Sequence, residues 1–210
     1  MHCKSEGKSY MSQGNKGMEL FLTGWVLALS TNYLGGLDTG SWMPIVVHAM
    51  EIFAFGFMMG GSRILADLHK NFKVAGLVAL FACLISLGLE TICVISVQGT
   101  SAWMSIGAIA LMFMGDLLFL WLTALVLQGT IELIRNGGDE KTAESLRYRV
   151  MLFLTFGTLF VAIQATAILL VNEGLTALTY VVPIMGIPVL IMGVLIAVDL
   201  YKIHSAANPL

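Results

Sequence analysis

The sequence predicts an all-α fold: a polytopic membrane bundle of six transmembrane helices with both termini in the cytoplasm. Three observations predict it. Of 210 residues, 58% are hydrophobic and only 11% charged, with mean hydropathy +0.87, whereas a soluble domain carries about 25% charged residues. Apolar runs recur that are long enough for the ~20 residues that cross a bilayer core. The eleven Lys and Arg all fall on one side of the alternating connections between those runs, which the positive-inside rule assigns to the cytoplasm.

Residues 1–17, "MHCKSEGKSYMSQGNKG", are polar and basic, and read as a cytoplasmic tail. The membrane domain, 18–202, follows, with spans expected at 18–36, 42–66, 74–97, 103–127, 150–171 and 178–201, and a short tail at 203–210. In the first span Thr31, Asn32 and Gly35-Gly36 shorten the apolar part. Lys4, Lys8 and Lys16 precede it; Arg63, Lys70 and Lys73 surround the second connection; Arg135, Lys141, Arg147 and Arg149 surround the fourth; Lys202 ends the last helix. The connections near Leu37 to Ser41, Gln98 to Ala102 and Asn172 to Ala177 carry no Lys or Arg. "RNGGDEKTAESLRYR", 135–149, is expected to be the longest loop, a solvated basic linker. Neither face leaves room for a receptor head or a soluble catalytic domain, so the chain acts within or across the bilayer, expected to be a bacterial inner membrane.

Inside the spans stand polar residues that hydrocarbon penalises. A carboxylate there costs roughly 2.5–3.5 kcal/mol on insertion scales, and such groups usually face a bundle interior or a wet cavity. Counted from the outer ends at 1.5 Å per residue, Glu51 lies ~13 Å deep, Glu90 ~10 Å and Asp116 ~20 Å. His48 is one turn outward of Glu51 on the same face, and Gln164 is near mid-depth on the fifth helix. Three readings of the acids are open: a polar permeation path with protonatable carboxyls, ligands for a cation from His48, Glu51, Glu90 and Asp116, or neutral hydrogen bonds between helices.

Other patterns exclude more than they assign. Only His48 lies at membrane depth, so bis-histidine haem ligation lacks its second imidazole. The thirteen Met join no repeated His or Cys motif, so packing explains them better than copper. Cys83 and Cys93, ~15 Å apart along one helix, cannot pair, and no disulfide framework follows. No cofactor is implied. Gly56-x-x-x-Gly60-Gly61 is expected to dock closely against a neighbouring helix, with Phe57 and Met59 beside it as lining. Pro183 and Pro188 flank Gly186, so the outer part of the last helix is expected to kink or open. Asp199 is expected to pair with Lys202 or a loop base.

The stretch "FMMGGSRILADLHKNFKVAGLVALF", Phe57 to Phe81, resembles the second-to-third helix region of the acetate uptake transporter (succinate–acetate permease) family: a bulky pair before Gly-Gly, a short basic turn, then a Gly-containing helix. "LFLTGWVLALSTNYLGGL" is equally similar to the related six-helix urea and amide channel family. The chain lacks the proline of the acetate family's signature before the first helix, and Met59 stands where that family has an aromatic. Both resemblances imply a hexamer with one pore through each protomer for a small polar solute.

The function expected is therefore a channel or proton-linked transporter for a monocarboxylate, a urea-like amide or a cation. Glu51, Glu90, Asp116, His48, Gln164, Phe57 and Met59 would form the solute or proton path. Ionised acids would repel an anion. A non-catalytic subunit of a larger membrane complex is the alternative, and an intramembrane metal protein or enzyme the third. The expected partners are the lipid bilayer, a small solute and other membrane chains, including copies of itself; no feature points to nucleic acid.

Overall fold

The computed structural model describes residues 3–34, 43–96, 102–171 and 181–207. They form six helices, α1 (Cys3–Leu34), α2 (Met43–Leu65), α3 (Lys70–Ser96), α4 (Ala102–Asn136), α5 (Glu140–Val171) and α6 (Val181–Ala207), and no strand occurs among them. Five contain stretches long and apolar enough to cross a membrane: Ile45–Leu65, Lys70–Ile92, Ile106–Asn136, Glu140–Ala167 and Gly186–Ile203. That pattern marks a multi-pass membrane protein. α1 does not meet the same measure, because its apolar part begins only at Met18 and its first turns are polar. The three connections expected to lack basic residues lie almost wholly outside the described residues.

Each helix packs on its neighbours in sequence and α6 returns to α1, closing an antiparallel ring. Contacts also cross its inside. Trp25 of α1 donates its indole N–H to Thr123 Oγ1 of α4 at 3.0 Å, and its ring meets Phe153 of α5 with centroids 5.7 Å apart. Phe55 of α2 meets Phe119 of α4. All of these side chains are buried, and an unmet indole N–H there would cost on the order of 1–3 kcal/mol.

α1 and α2 approach so closely that glycine is required. A Cβ on Gly61 would stand 2.5 Å from the Gly17 carbonyl oxygen and 2.6 Å from Phe21 N, and one on Gly24 would overlap the Ala54 carbonyl. The contact therefore uses Gly17 and Gly24 against Ala54 and Gly61, pairs spaced one heptad apart on both helices. Of the expected Gly56-x-x-x-Gly60-Gly61 face, Gly61 and Gly60 lie against α1, a Cβ at Gly60 standing 2.9 Å from Leu20 Cδ2, whereas a Cβ at Gly56 would meet nothing within 4 Å, because that residue lies off the contact line.

The segment 135–149 is not a loop. α4 runs on to Asn136 and α5 starts at Glu140, leaving only Gly137, Gly138 and Asp139 between them. Gly138, at φ 89°, allows its N–H to bond the Arg135 carbonyl at 3.0 Å while Asp139 N–H reaches Ile134 O at 3.3 Å, a Schellman closure. Asp139 Oδ1 then accepts from Thr142 N–H at 3.1 Å and starts the next helix. The charges that suggested a linker lie instead along two helix ends. Likewise Cys3 to Gly17, expected as a tail, are helical.

α6 is unbroken from Val181 to Ala207, so the expected opening does not appear in its backbone. Pro183 sits in the first turn, where no donor is needed, while Pro188 leaves the Ile184 carbonyl without its intrahelical bond. Arg149 Nη1 donates to Asp199 Oδ2 at 2.5 Å, binding α5 to α6. At the same end His69 Nδ1 accepts from Asn71 N–H at 3.2 Å, leaving Nε2–H to donate to Glu132 Oε2 at 2.6 Å. The turns at 66–69 and 137–139 and the end of α6 thus share one basic end of the bundle.

Candidate functional site

The polar residues of the spans gather inside the ring, away from the basic end. On α2 one helical face carries Glu51, Phe55, Met58 and Ser62, at spacings that return every turn; Phe55, Met58 and Ser62 are buried. On α4 the matching face carries Asp116, Phe119 and Thr123. Cys83 of α3 donates weakly to the Ile52 carbonyl of α2 at 3.8 Å, and Gly115 of α4 faces Ile85 of α3. Glu51 and Asp116 are therefore level with one another, and they lie within electrostatic reach.

His48 Nδ1 lies 3.1 Å from Glu51 Oε2, with side chains only 12% and 16% exposed. The pair is formed one turn apart on α2, the i, i+3 spacing that brings side chains together. Asp116 has no such partner among the described residues. Its carboxyl instead lines a cavity of about 50 Å³ together with Leu29 of α1, Phe119 of α4, Gly157 and Phe160 of α5, and Gly186 of α6. Gly157 and Gly186 admit their neighbours closely: a Cβ at Gly157 would stand 2.6 Å from Leu120 Cδ2, and one at Gly186 3.3 Å from the Phe160 ring.

One turn toward the basic end the inside of the ring is closed. Phe55 and Phe119 pack edge to face, and Met58, Trp25, Leu122 and Val126 fill the space beyond them, all buried. Farther down, Phe72 projects from α3 against Gly129, where a Cβ would stand 3.1 Å from its ring. Polar groups occur on both sides of this apolar floor, since Ser62 Oγ is buried without a hydrogen-bond partner.

Of the seven residues expected to form the path, Asp116 lines the cavity, and Glu51 with His48 stands across from it. Glu90 and Gln164 are farther outward, ~9 Å along α3 from the level of Glu51 and ~10 Å along α5 from Gly157. Each has one buried side-chain oxygen with no partner, Oε2 and Oε1 respectively. Met59 is half-buried against the core. Phe57 is 38% exposed, on the outer surface of the bundle and away from the cavity. The described residues hold no group of three or more His, Cys, Asp or Glu able to bind a metal.

Sequence reading missed Phe119, Phe160 and Trp25. The signal was present for Phe119, which is three residues from Asp116 and shares its helix face, as Phe55, four residues from Glu51, shares that of Glu51.

Fold and site together define a multi-pass helical membrane protein with an acid-bearing cavity inside the ring. Comparisons with known protein families, curated proteins and solved structures find no match for this chain.

Proposed function

We propose that this chain is a six-span, proton-linked transporter of a small polar solute in a bacterial inner membrane. The single observation that carries the reading is Asp116: an intramembrane carboxyl, without a described partner, lining a cavity inside a helical ring. An acid serving only to bind a neighbouring helix would end on a hydrogen-bond partner.

The aromatic floor favours a gated transporter over an open pore. In this conformation the cavity lies on the side of the floor opposite the basic end, which the positive-inside rule makes the cytoplasmic side. α1 completes the sixth span in this reading, because Trp25 ties it across the ring to α4 and its glycines lie directly against α2. Protons enter the scheme because protonation removes the carboxylate's charge and turns one oxygen into a donor, so a proton and a cationic solute compete for it.

The test is flux into proteoliposomes of the purified chain, at acid and neutral pH, for a carboxylate, an amide and a small cation, beside Glu51→Gln. Protein-dependent flux of one solute, altered by that substitution, is expected. Absence of flux for every solute, together with stoichiometric partner chains in the purified sample, would overturn the reading in favour of a complex subunit.

A further inference from the structure

The cavity beside Asp116 also has a chemistry of its own. Its volume of about 50 Å³, at 10–15 Å³ for each water-sized occupant, admits roughly three to five non-hydrogen atoms. Among the described residues Asp116 is the one polar side chain that lines it; the others are aliphatic, aromatic or glycine. In its ionised form Asp116 accepts hydrogen bonds and offers none, so the described lining side chains then contain no donor.

Four solute classes meet that lining differently. An acetate-like anion would face a carboxylate with no donor or cation to offset the repulsion, since the described Lys and Arg are at the other end of the bundle. Against ionised Asp116 a urea-like amide would bury a carbonyl oxygen without a donor, a loss of about 1–3 kcal/mol. A strongly hydrated metal ion requires six or more oxygen ligands, or retained waters, and the side chains supply one carboxyl. A weakly hydrated organic cation meets this lining best: Asp116 receives a pair of its N–H groups, Phe119 and Phe160 supply rings that attract a cation, and the aliphatic remainder accommodates its apolar edges.

We propose that the Asp116 cavity binds a small monovalent organic cation, of the guanidinium or methylated ammonium class, held by Asp116 between the rings of Phe119 and Phe160. This rests on the reading of the ring interior as a solute path, and names the solute class for it. Glu51, level with Asp116, is engaged with His48 and does not line the pocket.

The test is calorimetric titration of the full chain in nanodiscs with guanidinium chloride and with dimethylammonium chloride, each against potassium chloride at equal ionic strength. The wild type is expected to bind both saturably, Asp116→Asn at least tenfold more weakly and Phe160→Leu severalfold more weakly, with helicity unchanged by circular dichroism. Should Asp116→Asn not fold, Phe160→Leu carries the same comparison. Saturable binding absent from the wild type, or unchanged in the variants, overturns the proposal. The two readings fail separately. Cation binding that depends on Asp116 without flux in proteoliposomes keeps the site and removes transport; flux of acetate or urea without cation binding keeps transport and removes the cation.

Discussion

Phe55 and Phe119 meet nearly edge-on across the inside of the ring, centroids 6.4 Å apart and planes at 70°, one helical turn below Glu51 and Asp116. Acid over aromatic on both α2 and α4 sets an acid-bearing cavity above an apolar floor.

Removing a floor ring should open it. Phe119→Ala is expected to raise passive proton and solute leak through proteoliposomes, and to lower stability by about 3–5 kcal/mol. Phe119→Leu, which keeps most of the bulk, should leak less. Leak is read by a pH dye inside the vesicles, stability by thermal unfolding in detergent.

The α1–α2 contact predicts opposite outcomes for two glycines five residues apart. Gly61→Ala pushes a methyl into the α1 backbone, 2.5 Å from Gly17 O, and should cost about 1–3 kcal/mol. Gly56→Ala meets nothing within 4 Å and should be neutral or slightly stabilising, since alanine is the better helix former. Parallel melting curves check both.

Arg149 and Asp199 couple α5 to α6 with side chains 34% and 21% exposed. Solvent screening at that exposure limits the pair to about 1 kcal/mol or less. Asp199→Asn should lower the melting temperature slightly at low salt and much less at high salt. The exchange Arg149→Asp with Asp199→Arg should recover most of the loss.

Asp139 predicts the acid limb of stability. Bonds from Thr142, side chain first and backbone N–H second, hold its carboxyl below its usual range. A folded-state value below the unfolded one gives stability that is complete above the ordinary carboxylate range and is lost as pH falls through the lowered value. Asp139→Asn keeps the cap and should remove this part of the acid dependence; Asp139→Ala should lose the cap at every pH. Helicity followed against pH distinguishes them.

How much of this was legible follows from which signals are local. The helix class and five membrane-length apolar helices could be read from apolar runs, and the His48–Glu51 pair from its spacing, because each is set within one helix. Asp199 was assigned a base as partner, yet its choice of Arg149 depends on how α5 meets α6. The 135–149 stretch misled because charge resembles solvation, while the Gly138 turn and Asp139 cap let both helices continue through it. Gly56 and Gly61 are indistinguishable until the direction of α1 is known. The level of Asp116 with Glu51, and the closing of α6 onto α1 that makes the cavity, are properties of the ring and leave no mark on any one segment.

The most direct measurement of the central claim, that the inside of the ring is a solute path at Asp116, is thiol accessibility at Asp116→Cys with Cys3, Cys83 and Cys93 replaced by alanine. A small, charged, membrane-impermeant methanethiosulfonate reagent applied to sealed vesicles is expected to modify position 116 from the non-cytoplasmic side. Phe55→Cys in the same background, buried in the floor, should resist it. Modification of position 116 by membrane-permeant apolar maleimide alone would mean a dry bundle, and would contradict the account.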